Sequence, residues 1–330
     1  MQDEDMIENL IRQAGKRQTP DSDVARDVEI ATRAAWKSTV SSNRRAQRRK
    51  AFGLIGMVAT VIVVVGVGFL DLFNQQPVSP IAAFAHTGGT IKINGKLVSD
   101  DLATTSQINS EDEVTTENDS YLSIKLSNGI TLILGENTRM RVTSLKEVSL
   151  LAGKLYFDSP DSQLPLTVHT PQGDIVDVGT QYEALATDNG LRISMRDGAV
   201  KLSVDGVLHS AAVSDGAGDV LLVQPNNTVS RSTLATTDKY WQWVLIASED
   251  ILLEGKTVYD VLDQAARLTG RSVLYKNSKA KLLAQQTRLS GGVLDPEYIE
   301  SSLSLLLNTT TLTANLQTDS IEVDSAISIQ

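Results

Sequence analysis

The hydrophobic positions of the first 50 residues recur with the period of an amphipathic α-helix. One apolar stripe lies on Ile7, Leu10, Ile11 and Ala14, and Gly15 marks the expected end of that helix. A second stripe follows a Thr-Pro pair, which is typical of a helix start, and consists of Val24, Val28, Ala31, Ala35 and Trp36. Two helices this short bury too little apolar area to be stable alone. They pack on each other, lie on a membrane, or bind a cytoplasmic partner through their apolar faces.

An uncharged run of twenty residues follows, from 51 to 70. A helix rises about 1.5 Å per residue, so this run would be about 30 Å long, which matches the hydrocarbon thickness of a bilayer. Core helices are rarely this long without a charge, and a cleaved signal peptide has a shorter apolar stretch behind a short basic leader. The run therefore predicts one transmembrane helix.

The charges beside this run predict its orientation. Five basic residues precede it, namely Arg44, Arg45, Arg48, Arg49 and Lys50. Asp71 follows it, and no Lys or Arg occurs again before Lys92. Cytoplasmic flanks retain basic residues, so we expect residues 1–50 in the cytoplasm and residues 71–330 exported across the membrane, with the basic cluster as a membrane anchor. Such a cluster also suits nucleic acid, but its position beside the span favours the anchor.

After a linker at 71–82, the apolar period changes from 3.6 to 2 over residues 83–235. Seven runs alternate apolar with polar side chains, at 90–94, 121–127, 130–134, 154–158, 166–170, 191–196 and 200–204. Asn-Gly and Asp-Gly pairs, which favour tight hairpin turns, begin at positions 94, 128, 189, 197 and 205. The pattern predicts an all-β domain, open-ended or sandwich-like, without an acid pair, a catalytic triad or a phosphate loop.

The order of helix-like and strand-like patterns over residues 240–330 predicts a small α+β, βαβ-like module. One helical stripe ends at Gly270, and a second helix begins at Asp295 and Pro296. Strands are expected over 271–275, 287–294, 312–316 and 320–324, and an exposed edge of their sheet could accept a partner strand. The predicted fold class is therefore multi-domain: an α-helical segment, one transmembrane helix, an all-β domain and this module.

Charge and composition narrow the function classes. Residues 1–50 hold 11 basic and 8 acidic residues, a net charge of +3, whereas residues 51–330 hold 19 and 32, a net charge of −13. The negative charge of residues 51–330 argues against nucleic acid or anionic lipid as their ligand, because like charges repel. The absence of cysteine excludes disulfides, thiol catalysis, iron–sulfur clusters and Cys-based zinc sites. His86, His169 and His209 lie too far apart for a metal-site spacing, so no cofactor or metal is expected.

Successive blocks of the chain resemble the FecR family. In the β domain they are SNGITLILGENTRMRV (127–142), LLAGKLYFD (150–158), LTVHTPQGDIVDVGTQYEAL (166–185) and ISMRDGAVKLSV (193–204). The stretch 253–275, preceded by YWQWV at 240–244, resembles the short N-terminal domain of secretins and TonB-dependent receptors, and LIRQAGKRQTP (10–20) and AAWKS (34–38) resemble the family's cytoplasmic segment. The resemblance implies a single-pass sensor and anti-sigma factor of the bacterial inner membrane, with residues 71–330 in the periplasm.

That resemblance also implies the partners. An extracytoplasmic-function sigma factor would bind the cytoplasmic segment through Ile7, Leu10, Ile11, Val28 and Trp36. The signalling domain of an outer-membrane TonB-dependent receptor, or another periplasmic protein, would bind the exported part. The alternative is an envelope scaffold with no sigma factor partner. A conventional enzyme is not expected.

One bond carries possible chemistry through the same resemblance. In some family members the bond that matches Gly179-Thr180 breaks spontaneously, when the Thr hydroxyl attacks the preceding carbonyl and the acyl group moves from nitrogen to oxygen. Gly supplies an unhindered carbonyl, and Thr supplies the nucleophile. The alternative is that Gly179 marks a bulge in a strand and Thr180 is an ordinary strand residue.

Overall fold

The computed structural model describes residues 80–98, 106–159, 165–177 and 179–325. The helical segment predicted at 1–50, the transmembrane helix predicted at 51–70 and most of the predicted linker lie outside these ranges. Among the residues the model describes, no helix is both long enough and apolar enough to cross a bilayer.

The part from Ala82 to Ala235, here called the β domain, is built from hairpins. Its described strands, β1 to β17, are Ala82–Gly88, Ile91–Ile93, Lys96–Leu97, Gln107–Ile108, Asp112–Thr116, Tyr121–Leu126, Thr131–Leu134, Arg139–Ser144, Glu147–Asp158, Thr167–Thr170, Gly173–Asp177, Gln181–Thr187, Gly190–Asp197, Ala199–Val204, Val207–Ser214, Ala217–Val223 and Val229–Ala235. Each of the seven runs that alternate apolar with polar residues either contains one of these strands or lies within one. The strand predictions for this region are therefore confirmed.

The strands form two sheets that share β9, and the last two residues of β15 also pair with β16 of the other sheet. One sheet has the order β1-β6-β7-β9-β12-β13-β16-β17, and the other has the order β3-β2-β5-β8-β9-β10-β11-β14-β15. Nearly all neighbours are antiparallel, and β9 with β10 is a parallel pair. The apolar side chains of both sheets meet in one buried cluster.

Strand β9 passes from one sheet to the other at a glycine. The side chains of β9 that face the main core are those of Val148, Leu150, Leu155 and Phe157. The residues that face this core therefore change from even-numbered to odd-numbered along the strand. A one-residue shift of this kind moves every later side chain to the opposite face. Gly153 lies at the change with φ +93°, and a Cβ there would be 2.4 Å from Thr138 Cα. Only glycine allows this crossing.

The C-terminal module, Ile251 to Ser325, packs three α-helices on short strands. The helices are α1 (Gln242–Ile246), which precedes the module, α2 (Val258–Thr269), α3 (Ser278–Gln286) and α4 (Ile299–Asn308), with 3-10 turns at Lys239–Trp241 and Pro296–Tyr298. The strands are β18 (Ile251–Leu252), β19 (Ser272–Tyr275), β20 (Val293–Leu294), β21 (Leu312–Leu316) and β22 (Ser320–Ser325). β18 pairs with β20, and the other three form a sheet in the order β19-β22-β21. Helix α2 begins in a capping box between Thr257 and Asp260 and ends at Gly270, with φ +69°.

The fold class predicted from the sequence was wrong. It included an α-helical segment and a transmembrane helix. The described chain is instead mostly β structure, and its α-helices have 5 to 12 residues. Two details of the C-terminal module also differ. Helix α3 was missed, because its apolar residues form a weak stripe among lysines and glutamines. The strand expected over 287–294 is reduced to β20, since its Ser-Gly-Gly sequence places Gly291 and Gly292 at positive φ.

Candidate functional site

The predicted cleavage site lies between strands β11 and β12. Gly179 is exposed and has φ +75°, a backbone conformation that favours glycine. The next residue, Thr180, is fully buried, and its hydroxyl donates a hydrogen bond to Asp177 Oδ1. The carbonyl of Thr180 accepts a hydrogen bond of 3.0 Å from the amide of Ser159. The nucleophile of the predicted reaction is therefore held beside a buried carboxylate.

The turn at this bond is crowded by the hairpin beside it. Gly198 has φ +71°, and a Cβ there would lie 2.5 Å from the carbonyl oxygen of Gly179. The pairing of β12 with β13 also shifts by one residue between Gln181 and Tyr182. Gly179 can therefore mark an irregularity at the start of a strand and also be part of a cleavage site. The two interpretations are compatible, because the irregular pairing brings Gly198 close to the Gly179 carbonyl.

A second hydroxyl lies near the same carboxylate. The ring of Tyr182 is fully buried and stacks on Phe157 at 5.1 Å between centroids. Burial, and the negative charge of Asp177 nearby, raise the pKa of Tyr182 well above its ordinary value. The phenol therefore stays protonated at neutral pH. Asp177 thus lies close to two buried side chains that carry O–H groups.

The aromatic segment, residues 240–244, packs on the outer face of the β domain. Trp241 is buried, its ring is 6.0 Å from the ring of Tyr156 on β9, and its Nε1 donates to the carbonyl of Ala235 over 3.0 Å. Trp243 lies 6.3 Å from Tyr156, with the ammonium of Lys154 over its ring at 4.8 Å. These contacts form an apolar cluster separate from the main core. The segment that leads to the C-terminal module is therefore fixed on the β domain.

A buried glutamate lies under this segment. Glu183 on β12 has a fully buried side chain, accepts a hydrogen bond from the hydroxyl of Tyr240 and pairs with Arg192 over 2.9 Å. Burial raises the pKa of Glu183 to about 7, although the positive charges of Arg192 and Lys154 act in the opposite direction. The carboxyl of Glu183 consequently titrates near neutral pH.

Arg267 joins helix α2 to the β domain, and Arg196 joins strand β13 to the segment that follows β17. Arg267 donates from Nε to Asp158 Oδ1 over 2.9 Å, and its Nη1 lies 3.4 Å from Asp197. Arg196 on β13 is buried between Tyr156 and Trp241, and its Nε donates to the carbonyl of Thr236 over 3.1 Å. The C-terminal module and the β domain therefore share charged and aromatic contacts.

Most of the predicted site residues lie outside the described ranges. These are the partner-binding set Ile7, Leu10, Ile11, Val28 and Trp36, and the anchor set Arg44, Arg45, Arg48, Arg49 and Lys50. Sequence reasoning missed Asp177, Glu183 and Arg196. The spacing of Asp177 three residues before Thr180 is a usable signal, since short polar side chains often bond to neighbours at this distance.

The histidines do not form a cluster. His86 stacks on Tyr121 at 5.3 Å, and His169 lies 2.8 Å from Asp174. Within the described ranges, no group of three or more His, Asp or Glu side chains is placed to hold a metal ion.

The titration of Glu183 predicts a pH dependence of stability. The folded protein binds the Glu183 proton more tightly than the unfolded chain, so we expect the free energy of unfolding to fall as pH rises from about 4.5 to about 7, by up to about 3 kcal/mol. Glu183→Gln keeps the shape and removes the titration, so the fall between pH 5 and pH 8 should shrink by that amount in urea unfolding. Glu113→Gln, which changes a partly exposed partner of Arg141, is the control and should leave the fall unchanged. An equal fall in the protein and in Glu183→Gln would contradict the assignment.

Two solved structures show a weak similarity to part of the chain. Two crystal structures of a candidate anti-sigma factor from Parabacteroides distasonis ATCC 8503 resemble the chain, with 16% and 15% sequence identity. They align over 64% of this chain and over 98% and 97% of their own chains, with a TM-score of 0.36 in both cases. A TM-score this low supports no conclusion about fold or function. No curated protein matches the chain.

The family model described as FecR protein matches residues 112–201. These residues run from strand β5 into strand β14 and contain Asp177, Gly179, Thr180, Glu183 and Arg196. Residues 112–201 are therefore a FecR domain, which confirms the resemblance to the FecR family over this part of the chain.

Proposed function

We propose that this protein is a signal-transduction regulator of the anti-sigma type. In this function the segment at 1–50 binds an extracytoplasmic-function sigma factor, and the C-terminal module receives the signal. The observation that carries the proposal is the FecR domain at 112–201, on which the aromatic segment and the C-terminal module are packed. A conformational change in the module can be transmitted to the FecR domain through these contacts, because the two parts pack directly on each other.

The receiving surface is the sheet of the C-terminal module. Strand β19 pairs on one side with β22 and forms an edge of the three-stranded sheet, and Leu274 on β19 is 51% exposed. An edge strand with an exposed apolar side chain suits a partner that adds a strand of its own. A periplasmic protein, such as the signalling domain of a TonB-dependent receptor, is the partner proposed for this edge. The localisation of 1–50 in the cytoplasm and 71–330 in the periplasm stays a prediction.

Sigma factor binding is tested by co-purification from the source cells. The tagged full chain should retain an extracytoplasmic-function sigma factor, identified by mass spectrometry. We expect Trp36→Ala with Leu10→Ala to reduce its recovery by at least about tenfold, because large apolar side chains dominate helix-in-groove binding.

The control for this experiment changes an apolar side chain elsewhere. Leu305→Ala, on helix α4, removes an exposed leucine of similar size and should leave the recovery unchanged. A full chain that is stable in the cells and retains no sigma factor would contradict the proposal and favour an envelope scaffold.

We propose also that the Gly179-Thr180 bond cleaves itself, with Asp177 as the base. The specific observation in favour is the hydrogen bond from the Thr180 hydroxyl to the buried carboxylate of Asp177. In this reaction Thr180 Oγ1 attacks the carbonyl carbon of Gly179 while Asp177 accepts the hydroxyl proton. The C–N bond then breaks, the proton passes to the departing nitrogen, and an ester joins Gly179 to Thr180 Oγ1. Water hydrolyses the ester and leaves two chains.

Cleavage is measured by the mass and the N-terminal sequence of the fragments. The purified protein should yield a fragment that begins at Thr180, and Thr180→Ala should stay intact. Asp177→Asn keeps a hydrogen-bonding side chain without a basic carboxylate, so we expect cleavage to slow by about a hundredfold. Thr180→Ser retains the hydroxyl and should still cleave. Cutting of Thr180→Ala at the same bond would identify a protease as the cause.

A further inference from the structure

A cavity of about 390 Å³ lies between the FecR domain and the C-terminal module. One wall comes from strands β12 and β13, with Gln181 and Arg196, and the other comes from α2, β19 and α3. A volume in this range is that of a small-molecule site. The proposed function makes no use of this space.

Arg196 brings a positive charge to this cavity without an acidic partner. It is 3% exposed, and no carboxylate among the described residues lies within 4 Å of its guanidinium. Its Nε donates to Thr236, and its Nη1 lies 3.4 Å from the hydroxyl of Tyr156. A guanidinium has five N–H donors, so three have no partner in the described part of the chain. A buried cation in this condition is costly unless an anion or a strong dipole compensates it.

The protein supplies only part of this compensation. The guanidinium carbon lies 5.1 Å from the ring centre of Trp241 and 5.9 Å from that of Tyr156, so both rings attract it through their faces. Gly270, at the end of helix α2, approaches the guanidinium so closely that a Cβ there would be 3.0 Å from Nε. The negative end of that helix therefore faces the charge. Burial raises the pKa of Tyr156 to about 12, so its hydroxyl is neutral and supplies no charge.

A second donor on the same wall is also unpaired. Gln181 is 2% exposed, and its side-chain Nε2 is buried with no hydrogen-bond partner in the described ranges. A buried amide donor usually has a partner, which can be a ligand. The opposite wall carries Lys281 and a stacked pair of rings, Tyr259 and Tyr275, with 6.1 Å between centroids and 8° between planes. Two carboxylates, those of Asp197 and Asp263, also line the cavity, against four basic side chains, those of Arg196, Arg267, Arg271 and Lys281. The lining thus combines donors, a net positive charge and flat apolar surface.

We propose that this cavity binds a small organic anion, a carboxylate or a phosphate ester, whose charged group accepts hydrogen bonds from Arg196 and Gln181. Such an anion neutralises the buried guanidinium and satisfies the unpaired amide. The rings of Tyr259 and Tyr275 fit a flat apolar portion of the same molecule. Because the two walls belong to the FecR domain and the C-terminal module, the ligand stabilises the contact between them. The proposal does not depend on a sigma factor partner or on cleavage.

The test is a titration of the full chain with simple probes. Benzoate and inorganic phosphate carry the charge, and benzamide is the neutral analogue of benzoate. Binding is followed by calorimetry and by the intrinsic tryptophan fluorescence of the protein, to which Trp241, in contact with Arg196, contributes. We expect saturable binding of benzoate below about 10 mM, and at least about tenfold weaker binding of benzamide. Failure of both benzoate and phosphate to bind saturably, or equal binding of benzoate and benzamide, would overturn the proposal.

Variants locate the binding in this cavity. Gln181→Leu removes one donor from a buried position and should weaken benzoate binding by about fivefold or more. Arg196→Gln should abolish it, with circular dichroism to check that the variant is folded. Arg231→Gln is the matched control, since Arg231 is exposed on strand β17 and pairs with Asp219. If Gln181→Leu and Arg231→Gln bind benzoate equally well, the anion lies elsewhere and the proposal is wrong.

Discussion

The contact of Arg196 with Trp241 and Tyr156 is the constraint on which the arrangement of the described chain depends. It joins strand β13, strand β9 and the segment that follows the last strand of the β domain, and its Nε bonds to the carbonyl of Thr236 in that segment. Arg267 adds a second connection from helix α2 to Asp158. Aromatic burial supplies most of the attraction here, whereas the charged groups set the orientation. Without this contact the C-terminal module would be tethered to the β domain but not held on it.

Most side chains that receive the aromatic segment belong to the FecR domain, whereas Leu234 and the carbonyl of Ala235 lie outside it. Tyr156, Glu183, Arg192 and Arg196 lie within residues 112–201, and the segment itself lies outside that match. Glu183, which titrates near pH 7, and Arg196, which lacks an acidic partner, are both found at this contact. A buried carboxyl with a raised pKa and a buried arginine without an acidic partner are both uncommon inside a folded protein.

Local patterns in the sequence predicted the strands well and the site poorly. Alternation and Asn-Gly or Asp-Gly turns depend on neighbouring residues only, so strands such as β6, β13 and β14 follow from them. The crossing of β9 at Gly153 depends on contact with Thr138, and the roles of Glu183 and Arg196 depend on a segment some 45 to 60 residues later in the chain. No period in the sequence carries that information. The predicted fold class was wrong for a related reason, because its α-helical segment and transmembrane helix were inferred from local patterns, whereas the described chain is mostly β structure paired over long distances.

Pulsed electron spin resonance tests most directly whether the β domain and the C-terminal module are held in one arrangement. The chain has no cysteine, so two can be introduced for nitroxide labels without background. Leu208 on β15 and Leu305 on α4 are exposed, at 63% and 70%, and lie on the two parts. We expect one narrow distribution of label-to-label distances, which broadens when Trp241→Ala removes the aromatic contact. A broad distribution in the protein that retains Trp241 would contradict a single arrangement.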